Sequence, residues 1–225
     1  MFRYKIRVLL MPAIIVIIAV LICVILLNVG RTSVDNVQMD AIINGLLTIS
    51  TDLELQHETV AKTAYSISKQ NVYKPSYVKA HKYHEVELLE NIVSLSRTNS
   101  FSDEYFLMYR GERDVYKAEN GAKNTFEVFA KYYNIDDESE NLYEKLSTVS
   151  GFTVIPYKSY SKQNCIFAMP VFAEGNLSGN IIATLGVLIS GSELSDRYQS
   201  MLNYSYDNVY IFYDDSLILT FSEHN

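Results

Sequence analysis

Two histidines three residues apart, His81 and His84 in the stretch His81-Lys82-Tyr83-His84-Glu85, have the type and spacing to do chemistry. On a helix they share a face and reach one metal ion together. Their order is not that of zinc-protease helices, which read H-E-x-x-H or H-x-x-E-H. The remaining histidines, His57 and His224, do not extend the cluster, so an exposed pair on a solvated helix is expected. The chain contains no G-x-S-x-G for nucleophilic catalysis, and no G-x-x-x-x-G-K-S/T or G-x-G-x-x-G for phosphates. Carboxylates are plentiful, but Asp214-Asp215 falls in a predicted turn. Asp136-Asp137 and Glu138–Glu140 read as acidic surface without the alternating oxygen ligands of a calcium loop. The expectation is therefore a chain that is not an enzyme and takes neither metal nor cofactor.

The tyrosines suit ligand binding better. There are 18 and no tryptophan. Tyr109, Tyr116, Tyr157 and Tyr160 lie on or near predicted strands, and each offers a flat apolar face with one donor-acceptor hydroxyl. Such groups fit a small polar ligand in a largely apolar pocket; cross-strand packing or surface placement is the plainer alternative. The two cysteines form no framework. Cys23 lies in the apolar N-terminal run and Cys165 in a strand-like stretch, where a buried, inert thiol is expected.

These residues must be positioned by a chain with marked organisation. Val8–Gly30 is uncharged and mostly Ile, Val and Leu, long enough to cross a hydrocarbon core. It exceeds a cleavable signal core and lacks an A-x-A-like site, so an uncleaved signal anchor over 8–30 is expected. Arg3, Lys5 and Arg7 precede it, which places a 1–7 tail in the cytoplasm and residues 31–225 outside the cell membrane, as a single-pass protein. The net charge is −7, and the acidic excess falls on that exported part. Nucleic-acid binding by this portion is excluded, as is a polybasic membrane-surface patch.

A stalk helix is expected over 31–75. Met39, Ile42, Leu46, Ile49, Leu53, Val60 and Ile67 follow a heptad seam, with Gln56 and Thr63 as its polar positions. The seam suits either a parallel homodimer or packing on the chain's own domain. Gly45 reads as a mild weakness. Pro75 ends this region, and a second helix follows over about 76–97. Then come strands 104–109 and 114–118, short helices 125–133 and 139–147, an extended stretch 151–160, strands 164–173 and 180–190, and a helix to about Leu202. Pro156 favours an edge strand. The layout predicts an α+β fold, an antiparallel sheet with flanking helices.

One pattern occurs twice. EYFLMYRGERDVYKAENG at 104–121 and NVYIFYDDSLILTFSEHN at 208–225 both read as strand, tight turn, strand. Phe106–Tyr109 align with Tyr210–Tyr213, and Val115-Tyr116 with Leu219-Thr220. The second copy reads as the start of another module, with strands expected to be poorly ordered or paired with a partner.

Short basic start, single anchor, long helix, a helix ending in Asn99-Ser100-Phe101 before Tyr105–Tyr109, then Ile166–Pro170 and Ile181–Ile189: this layout resembles the extracellular double-Cache, PAS-like sensing region of bacterial receptors. It is most similar to that of membrane-anchored AraC-type transcription regulators and sensor histidine kinases of two-component systems. The resemblance implies a membrane-distal lobe over 76–202, the start of a truncated proximal lobe over 203–225, and an output domain absent from this chain. It implies a small extracellular ligand and signal transduction across the membrane. The arginine–aromatic pair with later tyrosine and aspartate of amino-acid-binding relatives does not map here, since Arg110 and Arg113 fall in a turn with Asp114 beside them. A membrane-tethered interaction protein without a small-molecule ligand is the alternative.

Overall fold

The computed structural model describes residues 37–98, 104–135, 139–160, 162–173, 179–202, 208–213 and 216–221. The expected cytoplasmic tail 1–7 and anchor 8–30 lie outside them. Among the described residues no helix is long and apolar enough to cross a membrane.

Helix α1 runs over 37–68. Thr48, Thr51, Thr59 and Thr63 donate their hydroxyls to carbonyls four residues back, so these otherwise weak helix formers are satisfied within it. A 3-10 turn, Asn71–Tyr73, follows. Pro75 keeps Lys74 extended and opens α2, Pro75–Val78. The second helix expected from 76 is thereby split, and α3 spans Lys82–Thr98. The break has a tertiary cause. Tyr77 folds back to stack on His84 with centroids 3.7 Å apart, and His84 Nδ1 lies 2.8 Å from the Tyr77 carbonyl.

Six strands form one antiparallel sheet in the order β3-β2-β1-β6-β5-β4. They are β1 (Glu104–Tyr109), β2 (Asp114–Lys117), β3 (Ala122–Thr125), β4 (Thr153–Ser159), β5 (Lys162–Phe172) and β6 (Ile181–Ile189). Helices α4 (Phe126–Tyr132) and α5 (Ser139–Ser147) interrupt the strands, and α6 (Gly191–Gln199) follows β6. Pro156 does sit on an edge strand, where its missing N–H costs no ladder bond.

Alternation sorts β1 between two cores. Tyr105, Leu107 and Tyr109 join Ile49, Val60, Ile67, Leu88, Ile92, Phe167 and Leu185 beneath α1 and α3. Phe106 and Met108 join Val115, Phe126, Phe129 and Ile166 beneath α4 and α5. All six β1 residues are buried, as a strand covered on both faces requires. Phe106 lies across Gly186 of β6, its register partner, and a Cβ there would collide with the ring. Cys165 is buried, and burial pushes its thiol up to about 12, as expected for an inert core residue.

The heptad seam divides. Ile49, Val60 and Ile67 are buried in the domain's own core, whereas Met39 and Leu46 are exposed beside Ile43 and Leu47. Gly45 is no weakness: a Cβ there would meet Leu202 Cδ2 at 2.8 Å and the Met201 carbonyl oxygen at 3.0 Å. The chain after α6 crosses α1 at this glycine. About two turns further along α1, Arg197 Nη2 donates to Asp52 and the Tyr198 hydroxyl lies 3.4 Å from the same carboxylate.

The second hairpin consists of β7 (Val209–Tyr213) and β8 (Ser216–Phe221), paired with each other as a separate two-stranded sheet. Its described strands are not left loose. Ile211, Ile218 and Leu219 are buried, and β8 packs on α6, β4 and β5. Its register is one residue off the aligned repeat, with a further slip between Ile211 and Phe212, so Ile211 faces Leu219 where Leu107 faces Tyr116.

Candidate functional site

The four sequence-predicted tyrosines separate into one pair and two outliers. Tyr109 ends β1 and Tyr116 lies on β2; both point beneath α1 and α3, their rings edge to face with centroids 5.5 Å apart. Tyr157 points to the opposite face, packed against the core under α4 and α5. Tyr160 stands in the β4–β5 turn at φ +50° and is 73% exposed. The structure therefore brings together Tyr109 and Tyr116 alone.

Tyr73, from the 3-10 turn, completes the group. The buried Tyr109 hydroxyl donates to the Tyr73 backbone carbonyl at 3.0 Å. Burial pushes the Tyr109 phenol well above its usual range and Tyr73 up to about 12, so both stay neutral and able to donate. The segment from Asn71 to Val78 is held to the sheet by this bond and by the buried Tyr73 and Val78 side chains. It is held to α3 by the Tyr77–His84 stack and a 2.9 Å bond from the Tyr77 hydroxyl to Glu87. The histidine pair thus has a structural use: His84 is half-buried in this stack, while His81 is exposed with its ring centroid 5.3 Å away. Among the described residues no group of three or more metal-ligating side chains is assembled.

Charge gathers at the outer end of the tyrosine pair. Lys123 on β3 lies 3.1 Å from Asp114 on β2 and 3.5 Å from Glu85 on α3. Its ammonium is also 5.4 Å from the Tyr116 ring centre. Burial alone would lower the Lys123 pKa, but the Asp114 carboxylate and the Tyr116 hydroxyl raise it above the ordinary lysine value. Burial raises Tyr116, and the neighbouring ammonium opposes that shift. Packed tyrosine rings beside one cation and two carboxylates combine the apolar and charged groups that recognise a small molecule carrying both. Sequence reasoning missed Tyr73, Glu85, Asp114 and Lys123. They come from four separate elements, and no spacing along the chain links them.

No protein-family model matches the chain, and no curated protein matches it. Solved structures do. The sensory domain of the Campylobacter jejuni chemoreceptor Tlp3 (CcmL) superposes with a TM-score of 0.53 at 11% identity, covering 83% of this chain and 72% of that one. The same domain with isoleucine bound gives 0.52 at 11% identity, with 83% and 71% covered. A methyl-accepting chemotaxis protein X gives 0.50 at 13% identity, with 79% and 72% covered. The α+β architecture expected from the sequence layout, an antiparallel sheet with flanking helices, is the fold of this chain, and it is shared with these domains.

Proposed function

We propose that this chain is the extracytoplasmic ligand-sensing portion of a signal-transduction receptor, held in the cell membrane by 8–30 with its N-terminus in the cytoplasm. Its ligand is a small extracellular molecule bound beneath α1 and α3 against Tyr109 and Tyr116. The observation that carries this reading is the Tyr109–Tyr73 bond. It places a buried, neutral hydroxyl against a short segment that proline and a 3-10 turn have already separated from the helices on either side. A ligand that takes over the Tyr109 hydroxyl releases or re-seats residues 71–78, and with them the end of α1. It acts only through the difference in its affinity for the two arrangements.

The receptor type the layout resembles is a membrane-anchored AraC-type regulator or a sensor histidine kinase. The hairpin 208–221, repeating the pattern of β1–β2, is the opening of a second lobe. The exposed Met39, Ile43, Leu46 and Leu47 at the membrane-near end of α1 support a parallel homodimer, because the seam's apolar positions are left outside the domain core only there. Introducing Leu46→Cys tests this: oxidation in membranes yields a disulfide-linked dimer, and a monomer throughout contradicts the dimer.

The ligand reading is tested by thermal-shift screening of the chain against extracellular metabolite pools. At least one pool raises the melting temperature of the native chain. Tyr109→Phe and Tyr116→Phe abolish that rise while remaining folded. A folded chain that no pool stabilises overturns the reading.

A further inference from the structure

The opposite face of the same hairpin holds a second charge cluster, separate from the tyrosine site. Glu104 opens β1 and Lys117 closes β2, and both side chains turn inward under α4, at 5% and 3% exposure. Burying two such groups demands partners. Glu119, in the 3-10 turn Glu119–Gly121, supplies them. Its backbone N–H donates to Glu104 Oε1 at 3.0 Å, and its Oε2 lies 3.2 Å from Lys117 Nζ. The lysine ammonium also sits 3.5 Å from the Tyr132 ring centre and 5.3 Å from that of Tyr133. The two phenols in turn donate to the two Glu119 oxygens, at 2.6 and 3.1 Å.

Among the described residues, the titratable groups around Glu104 are therefore Lys117 from β2, Glu119 from the 3-10 turn, Tyr132 from α4 with Tyr133 at its C-cap, and Tyr157 from β4. That is one cation for two carboxylates. The partners are shared unequally: Glu119 has the ammonium and two phenols, whereas Glu104 has the Glu119 backbone N–H and, when protonated, its own hydroxyl donating to the Glu119 carboxylate. Burial alone would raise Glu119, but its bonds from Tyr132 and Lys117 hold it below the ordinary value. For Glu104, burial and then the Glu119 charge push the carboxyl up to about 7.

We propose that Glu104 and Glu119, sharing Lys117 beneath the Tyr132 and Tyr133 rings, form a proton-operated joint that sets how firmly residues 119–125 are held on the sheet. With Glu104 protonated the buried charges balance, Lys117 against Glu119. With Glu104 ionised, two carboxylates face one ammonium, and the 3-10 turn carrying Glu119 is pushed outward. In the unfolded chain Glu104 is an ordinary carboxyl, and folding raises its affinity for a proton. Its contribution to stability is thus fully present below the ordinary carboxylate range and is lost as pH rises through about 7. The turn leads directly into β3, which carries Lys123 of the Asp114–Lys123–Glu85 cluster. The joint therefore couples extracellular pH to the charged edge of the sheet, whether or not the tyrosine site binds a ligand.

The test uses the full 225-residue chain in detergent micelles with 13C-labelled glutamate carboxyls. One native carboxyl resonance titrates near neutrality, and the Glu119 amide, which donates to that carboxyl, shifts with the same midpoint. Hydrogen exchange at 119–125, referred to each amide's intrinsic rate, speeds up between about pH 5.5 and about pH 8.5. E104Q removes that change while leaving exchange in β5 and β6 as it was. The carboxyl titration is read on the unsubstituted chain and stands even if E104Q does not fold. All glutamates titrating in the ordinary range, or exchange at 119–125 with the same pH dependence in both proteins, overturns the proposal.

Discussion

The two faces of the β1–β2 hairpin are built from alternate residues of the same ten strand positions, yet they do different chemistry. Beneath α1 and α3 lie Tyr105, Leu107, Tyr109 and Tyr116, with ions kept at the periphery. Beneath α4 and α5 lie Phe106, Met108 and Val115 against Phe126 and Phe129, with Glu104 and Lys117 buried at the end. The first face ends its hydrogen bonding on a short, separable segment, 71–78. The second closes on aromatic packing, with Phe106 and Phe129 centroids 5.0 Å apart. On this account the aromatic packing of Phe106, Phe126 and Phe129, apart from the Glu104–Lys117 end, is the rigid side, and the face tied to 71–78 through Tyr109 is the yielding one. Ligand-driven movement belongs where one replaceable hydrogen bond, Tyr109 to the Tyr73 carbonyl, ties 71–78 to the sheet.

The largest effect is expected on the rigid face. Phe129→Ala leaves a cavity among Phe106, Phe126 and Tyr133 and costs about 3–5 kcal/mol by chemical denaturation, without changing which compounds stabilise the chain. Asp52→Ala, where α1 meets α6, removes a partner of Arg197 and Tyr198. Because Arg197 is partly exposed, the loss is about 1–2 kcal/mol, read in the same denaturation experiment. Tyr109→Phe costs about 1 kcal/mol by leaving the Tyr73 carbonyl without this donor. Its more telling effect is faster hydrogen exchange at 71–78 with α4 unchanged. Lys123→Ala changes stability by about 0.5 kcal/mol or less, since its ion pairs are half-exposed, but it weakens any compound that uses the charged edge.

The elements of the rigid face were the easier to read from sequence. Apolar runs at Glu104–Tyr109 and Val115–Tyr116 on either side of the polar Arg110-Gly111-Glu112 mark a hairpin, and the spacing in 125–133 and 139–147 marks two short helices. Tyr109 and Tyr116 were legible as strand residues, but nothing in the sequence set them apart as a pair from Tyr157 and Tyr160. What could not be read depends on contacts between distant segments. Strand β3, Ala-Lys-Asn-Thr, has no apolar rhythm and exists because β2 offers it an edge. Tyr157 falls on the wrong face because pairing with β5 puts its side chain under α5, opposite Tyr109. Gly45 resembles a helix flaw until the chain after α6 is seen crossing it. Glu104 and Lys117 look like ordinary polar strand ends, and nothing local shows that α4 will cover them.

The central claim, that the yielding face receives the ligand, is tested most directly by hydrogen exchange on the native chain with and without a stabilising compound. Protection is predicted to concentrate at 71–78 and at Tyr109 and Tyr116, with little change in α4, α5 and β4. Protection centred on α4 and α5, or on β7 and β8, with 71–78 unaffected, would contradict it.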